Sequence, residues 1–230
     1  MSKIEHHGFN PYSENGGTIL AVSSQDFAIV AGDTRQSEGY SIQTRHARKC
    51  YQLTDTVVMA IQGFQADGSR LLKVVKANIE LYYSQNQCEP SLPSIARMIQ
   101  TKLYGKRFFP YYVYVILGGI DRDGTGAVYS FDPVGSYERE SCRGAGAAQS
   151  LIQPFLDNMI YKKNQTQDPA VAPLKKGERP IIEKDEVIQL VTDAFTGATE
   201  RHIEVGDGLE LFVIQKGKPI QVIQKPLKRD

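Results

Sequence analysis

The stretch Asn15 to Arg35, NGGTILAVSSQDFAIVAGDTR, decides how this chain is read. It contains two short apolar runs, Thr18 to Val22 and Phe27 to Ala31, joined by Ser23-Ser24-Gln25-Asp26, a polar link of hairpin length. Two neighbouring strands are expected here. Gly16-Gly17 stands directly before the first and Gly32-Asp33 directly after the second.

Working outward, short β-branched or alternating runs predict strands over 41–44, 50–53 and 57–61. The period then changes. Leu71, Leu72, Val75, Ile79 and Tyr82 recur at helical spacing, as do Leu92, Ile95, Ala96, Ile99 and Leu103 behind a Ser91 cap with Pro93 in the first turn. Strands are predicted again over 111–118, 127–132 and 137–142, with the Asp121 to Gly124 and Pro133 to Gly135 segments as turns. Two more helices follow, about 147–160 with Pro154 expected to kink it, and about 185–199. Between them, 162–184 reads as a long exposed loop, and strands over 209–214 and 220–223 close the chain. Helices grouped between blocks of strands mean α+β rather than an alternating parallel sheet. Two mostly antiparallel sheets, each covered by a helix pair, would bury every apolar face.

With 27 basic and 26 acidic residues the formal charge is +1, which provides no broad field for gripping nucleic acid or an anionic membrane. Cys50, Cys88 and Cys142 are far apart, without the spacing of a disulfide framework or a zinc knuckle, so a reducing compartment is expected. No metal or cofactor is expected. Asp121-Arg-Asp123-Gly-Thr125-Gly126 partly mimics a calcium loop, but strand flanks and glycines fit a hairpin turn better. Lys106-Arg107-Phe108-Phe109 is read as a turn feeding the next strand, with the phenylalanines in the core or at a subunit contact. Residues 1–16 contain no apolar core for a signal peptide and read as a polar extension, a candidate propeptide, before a single domain over 17–230.

A glycine-threonine junction ahead of a strand suits self-cleavage that exposes an N-terminal threonine. Such a residue serves as its own catalyst, because a free α-amine with a pKa of about 7.7 to 8.0 accepts the hydroxyl proton near neutral pH. Thr18 is the evident candidate, with Asp33 and Lys49 downstream to complete a site.

The motifs Gly-Gly-Thr-Ile-Leu-Ala, Ala-Gly-Asp33-Thr-Arg35, Arg48-Lys49, Gly144-Ala-Gly-Ala and Asp193-Ala-Phe-Thr196-Gly resemble those of the β-type subunits of the 20S proteasome, which are N-terminal nucleophile hydrolases. The resemblance runs from about Phe9 to the C-terminus. The segments GKRFFPYYVYVILGGIDRDGTGAVYSFDPVGSYERE and TERHIEVGDGLE narrow it to the non-catalytic branch at the sixth β position of the ring. It implies the four-layer αββα sandwich, a place in a core particle that degrades proteins, ubiquitinated ones included, and residence in cytoplasm and nucleus. Its implied partners are neighbouring β subunits, an α-ring subunit and β subunits of the facing ring, reached through the 162–184 loop and the Leu227 to Asp230 tail, with protein substrates passing through.

The resemblance also sets a register. In catalytic members the threonine stands sixteen residues before the aspartate and thirty-two before the lysine; here 33 − 16 and 49 − 32 both give 17, which is Gly17. Thr18 misses by one, and on a strand a one-residue miss turns a side chain to the opposite face. The family's serine that helps hold the terminal amine corresponds to Ala145, and its Asp-x-x-Ser pair to Asp193 and Thr196. Gly17, Asp33, Lys49, Ala145, Asp193 and Thr196 are thus expected to form a vestigial frame without a nucleophile. The alternative is cleavage before Thr18 to give a live threonine protease with a shifted strand. The turn at Asp121 is implied to lie toward a neighbour's substrate channel and to lend charge to its pocket.

Overall fold

β1 (Thr18–Ser23) and β2 (Phe27–Asp33) pair antiparallel, with Ile19 opposite Gly32 and Val22 opposite Ile29, in the hairpin that the opening stretch predicts. Every residue of both strands is buried. A strand covered on both faces has no polar side, so its sequence reads as an almost continuous apolar run. The structure, a computed structural model, describes residues 10–162 and 181–230.

β10 (Cys142–Gly146), β11 (Gly208–Gln215) and β12 (Gln221–Pro226) join the hairpin in a five-stranded sheet of order β10-β1-β2-β11-β12. A second five-stranded sheet holds β5 (Cys50–Thr54), β6 (Val57–Gly63), β7 (Val113–Ile120), β8 (Gly126–Phe131) and β9 (Tyr137–Glu140) in chain order. All pairings within both sheets are antiparallel. A separate ribbon pairs β3 (Gln36–Glu38) with β4 (Ser41–Thr44). Helices α1 (Gln65–Asn86), α2 (Leu92–Tyr104), α3 (Gln149–Met159) and α4 (Lys184–Arg201) complete the described elements.

Strand parity assigns the layers. Leu20, Val22, Ile29 and Ala31 face Ile152 and Leu156 of α3 and Val191 and Phe195 of α4. Their neighbours Ile19, Ala21, Ala28 and Val30 face the other way and pack on Val58, Ala60, Ile116 and Val128 of the second sheet. That sheet turns Met59, Val115 and Leu117 toward Leu71 and Val75 of α1 and Ile95 and Ile99 of α2. The layers therefore run helix pair, sheet, sheet, helix pair, and the fold is α+β. Where the sheets cross, a Cβ on Gly118 would lie 2.4 Å from Val30 Cγ2, so the absence of a side chain lets β7 approach β2.

Two differences from the sequence reading have physical causes. The single strand expected over 137–142 is two: β9 pairs with β8 in the second sheet, and after Ser141 the chain enters β10, beside β1 in the first. Alternation records which residues are buried, not which sheet buries them. The ribbon strand β3 was not expected, because Gln36-Ser37-Glu38 has no apolar pattern; beside the backbone pairing, Gln43 of β4 accepts from Gln36 Nε2 at 2.7 Å and donates to Glu38 Oε2 at 2.7 Å. α3 remains helical through Pro154. The expected loop over 162–184 lies almost wholly outside the described residues. Ser91 does cap α2, its Oγ accepting the Ser94 N–H at 3.4 Å.

Candidate functional site

Gly16 and Gly17 both adopt left-handed backbone, at φ of +63° and +79°. This conformation favours glycine, and it delivers the chain to β1 with Gly17 facing the second sheet. A Cβ on Gly17 would lie 2.4 Å from Lys49 Cε, 2.5 Å from Lys49 Nζ and 2.9 Å from Asp33 Oδ1. The space that a side chain at 17 would need is thus filled by the lysine and the aspartate. Backbone bonds fix the position: the Gly17 N–H donates to Glu204 O at 3.0 Å, and Gly17 O accepts from the Ala147 N–H at 2.9 Å. Gly16 O accepts from the Gln62 side-chain amide.

Thr18 points the other way. Its Oγ1 accepts the N–H of Ala148, the residue that opens α3, at 2.9 Å. Its own N–H donates to Asp33 Oδ1 at 2.7 Å, and no part of the residue is exposed. The hydroxyl of Thr18 and the ammonium of Lys49 therefore lie on opposite faces of β1.

Lys49 uses all its donors. Nζ donates to Asp33 O at 2.8 Å, Asp33 Oδ1 at 3.0 Å and Arg35 O at 2.6 Å. The Asp33 carboxylate also receives the Gly206 N–H on Oδ2 at 3.3 Å. Burial raises the Asp33 carboxyl above its ordinary pKa, while the Lys49 charge and the Thr18 and Gly206 N–H groups pull it back. The pair ties the end of β2 to the start of β5 with no donor or acceptor left over.

A second buried ionic group lies alongside. Arg35 Nε donates to Asp207 Oδ2 at 2.8 Å, Arg35 also donates to Ile203 O at 2.7 Å, and Arg45 pairs with the same carboxylate. Burial would raise the Asp207 carboxyl, but the hydrogen bonds from Arg35 and Arg45 outweigh it and hold it below the usual carboxylate range. Asp207 also anchors the C-terminal tail, its N–H donating to Lys228 O at 2.9 Å and its O accepting from Leu227 N at 3.2 Å. Leu227 itself is buried against the helix side of the first sheet.

Of the expected frame, the structure brings Gly17, Asp33 and Lys49 together and places Ala145 near them, paired with Ile19 on β10. Ala145 is buried in the layer between the sheets and has no side-chain hydroxyl. Asp193 and Thr196 are not part of this group, which corrects their expected place. Both are exposed on the outer face of α4, where Gln189 Nε2 donates to Asp193 Oδ1 at 2.8 Å and Thr196 Oγ1 donates to Thr192 O at 2.9 Å. The segment that reaches the frame comes later, Ile203 to Asp207. Glu204, Gly206 and Gln62 act through backbone or amide contacts that no side-chain pattern announces; the glycine-aspartate step Gly206-Asp207 was the one legible sign.

The N-terminal segment also reaches this region. Asn15 O accepts the Ser37 N–H at 3.0 Å, and Asn15 Oδ1 accepts the N–H of Gln65, the first residue of α1, at 2.8 Å. A cavity of about 640 Å³ runs along α3 from Gly146 and Ala147 to Asp157 and Asn158; Gly17, Asp33 and Lys49 do not line it. Asp121 lies in the turn between β7 and β8, its carboxylate 3.2 Å from Arg139 and bonded to the Arg122 N–H. Asp123 Oδ1 accepts the Thr125 N–H at 2.9 Å, and among the described residues no group of three or more His, Cys, Asp or Glu could hold a metal.

A model of the family described as "Proteasome subunit" matches residues 13–176. The chain is 54% identical over 214 residues to proteasome subunit beta type-6 of Saccharomyces cerevisiae, covering 93% of this chain and 88% of that one. It is 46% identical to proteasome subunit beta type-1 of Danio rerio over 97% of this chain and 90% of the relative. Identity to the Arabidopsis thaliana protein of the same description is 39%, over 98% and 99% of the two chains. The glycine-led first strand, the Asp33–Lys49 pair beside it and similarity along nearly the whole length thus agree: the chain belongs to the family of proteasome beta-type subunits.

Proposed function

We propose that this chain is a non-catalytic, structural subunit of the 20S proteasome core particle, with the four-layer αββα sandwich of the N-terminal nucleophile hydrolases. In that particle it stands between neighbouring β subunits and contacts an α-ring subunit and the facing β ring. The observation that carries the reading is the position of Gly17: the only Cβ direction available there runs into Lys49 and Asp33, and glycine supplies no hydroxyl. Thr18 supports it from the other side, since its Oγ1 is committed to Ala148 and its strand register turns it away from Lys49. A shift of β1 by one residue would bring Thr18 to the frame, but it would also exchange every core side chain of β1 between two packed layers.

The test is the N-terminus and reactivity of the mature chain in the purified particle. Intact-mass analysis is expected to find no chain beginning at Thr18, and an amine-requiring epoxyketone probe is expected to leave this chain unlabelled. A chain that starts at Thr18 and carries the probe overturns the proposal in favour of an active protease subunit. Trimming within residues 1–16 is compatible with it.

The particle's work, degradation of proteins including ubiquitinated ones in cytoplasm and nucleus, belongs to the same proposal. So does a contribution of Asp121 to a neighbour's substrate pocket. Its pairing with Arg139 reduces the charge it would offer there.

A further inference from the structure

A second cavity, of about 450 Å³, opens where the segment between β4 and β5 meets the last strand and the C-terminal tail. Arg45, His46 and Arg48 line it from that segment, Lys225 from β12 and Arg229 from the tail. Gly17, Asp33 and Lys49 do not line it. Two carboxylates, Asp207 and Glu210, stand in the same wall, so the surplus of charge decides what a ligand would meet. Lys225 adds nothing to that surplus, because its ammonium donates to Thr192 Oγ1 at 2.9 Å. Asp207 is met by Arg35 and Arg45, and Glu210 by Arg48. Arg229 forms no ion pair among the described residues, while its carbonyl is held at the cavity by Arg45 Nη1 at 2.7 Å. The guanidinium groups of Arg35, Arg45, Arg48 and Arg229 thus face two carboxylates, which leaves two positive charges unmatched.

Glu210 sets the chemistry. It shares the strand face of Phe212 and Ile214, which lie between the sheets, and only 8% of its side chain is exposed. Oε1 accepts from Gln224 Nε2 at 3.0 Å. Oε2 is buried and accepts no hydrogen bond; Arg48 Nε stands 3.4 Å from it. A buried oxygen left without a donor is costly, and a ligand that brings it a hydroxyl recovers that cost. The Arg48 side chain is 57% exposed, so its long contact yields to an entering group with little loss. Arg45 spends Nη1 on Asp207 and on Arg229 O, and its other guanidinium donors are not engaged among the described residues. The cavity therefore suits a small anion of two charges that accepts from guanidinium groups and donates one hydroxyl. Hydrogen phosphate meets each condition. Sulfate and an ionised carboxylate have acceptors only and would set oxygen against the Glu210 carboxylate. One enclosed basic recess in a chain of net charge +1 does not fit a nucleic-acid backbone.

We propose that this cavity binds hydrogen phosphate, with the anion's oxygens held by Arg45, Arg48 and Arg229 and its hydroxyl donating to Glu210 Oε2. The site stands whether or not the chain is catalytic. The test is equilibrium dialysis of the full chain against radiolabelled inorganic phosphate at constant ionic strength, with sulfate and glycerol phosphate as competitors. At about pH 8 a phosphate monoester, whose second pKa is about 6, has lost its last ionisable hydroxyl, whereas inorganic phosphate keeps one. A single saturable phosphate site is expected, with sulfate and glycerol phosphate each competing about tenfold less well or worse. Arg229→Ala, a change on the exposed tail, is expected to weaken phosphate binding about tenfold, the loss of one charge-assisted hydrogen bond. Glu210→Gln is expected to let sulfate bind as well as phosphate, since an amide donates where the carboxylate only accepts. A purely structural Glu210 would leave the ratio of the two anions unchanged. Absence of saturable phosphate binding, or equal affinity of the wild-type chain for phosphate and sulfate, overturns the proposal. So does tighter binding of glycerol phosphate than of the free ion, or an Arg229→Ala chain that holds phosphate as tightly as the wild type.

Discussion

Replacing Gly17 by Ala tests the central geometry, because the new methyl group has only one direction to take. Two costs follow. Holding a non-glycine residue at φ +79° costs about 1–2 kcal/mol. The larger cost comes from Lys49, whose Cε and Nζ lie 2.4 and 2.5 Å from the added carbon and must withdraw. Withdrawal gives up Asp33 O, Asp33 Oδ1 and Arg35 O together, and breaking a buried pair costs about 3–5 kcal/mol. The total, ~4–7 kcal/mol, approaches the whole stability of many domains. The measurement is a double-mutant cycle with Lys49→Ala, following urea unfolding of the full chain by far-UV circular dichroism in a stabilising osmolyte, since the sequence contains no Trp. Lys49→Ala alone is expected to cost ~3–5 kcal/mol, with Asp33 taking up a proton where its cation is missing. In that background Gly17→Ala should add only the backbone cost of about 1–2 kcal/mol, because the obstructing lysine is gone. The coupling energy is then ~3–5 kcal/mol. Additive effects of the two substitutions would refute the reasoning, since they would mean that a side chain at 17 does not contend with Lys49.

Thr18→Val keeps the shape but removes the acceptor of the buried Ala148 N–H; urea unfolding should show a loss of about 1–3 kcal/mol, while peptidase activities of the particle stay unchanged. Asp207→Asn leaves the buried Arg35 without its counter-charge and is expected to lower stability by ~3–5 kcal/mol near neutral pH. Because the Asp207 carboxyl is held below its ordinary value of about 3.9, its contribution is complete above that value and fades as pH falls through the lower folded-state value. The gap between wild type and variant in urea midpoints should therefore be constant from pH 7 to 5 and close in stronger acid. Asp121→Asn is expected to shift the peptide preference of one neighbouring active site; unchanged preference at every active site of the particle removes that role.

Much of the fold could be read from periodicity. The β1–β2 hairpin, the α1 and α2 stripes and the grouping of helices between strand blocks all come from which residues are apolar and at what spacing. The crossing from β9 to β10 could not be read in this way, because Tyr137 to Cys142 looks continuous while its two halves belong to different sheets. At the site, Gly17, Asp33 and Lys49 were legible by counting against the offsets that the family resemblance implies, since fixed offsets along paired strands translate into fixed places in space. Asp193 and Thr196 matched a short motif by type, yet helix α4 turns both outward. A motif without a register to anchor it carries no position. Glu204 and Gly206 contribute through main-chain atoms, which every residue possesses, so no sign of them stands in the sequence beyond the Gly206-Asp207 step.

Asn15 gives α1 something its own sequence lacks. Phe64, at the helix N-cap, has no side-chain oxygen to offer, and the N–H of Gln65 is met instead by Asn15, fifty positions earlier in the chain. The first turn of a 22-residue helix is therefore finished only when the N-terminal arm has come to rest beside it, a long-range closure that local helix formation cannot hasten. Folding of this domain acquires a late step in which the two ends of an otherwise local process wait for each other. Slow exchange of the Gln65 amide proton would mark the moment at which the arm has settled.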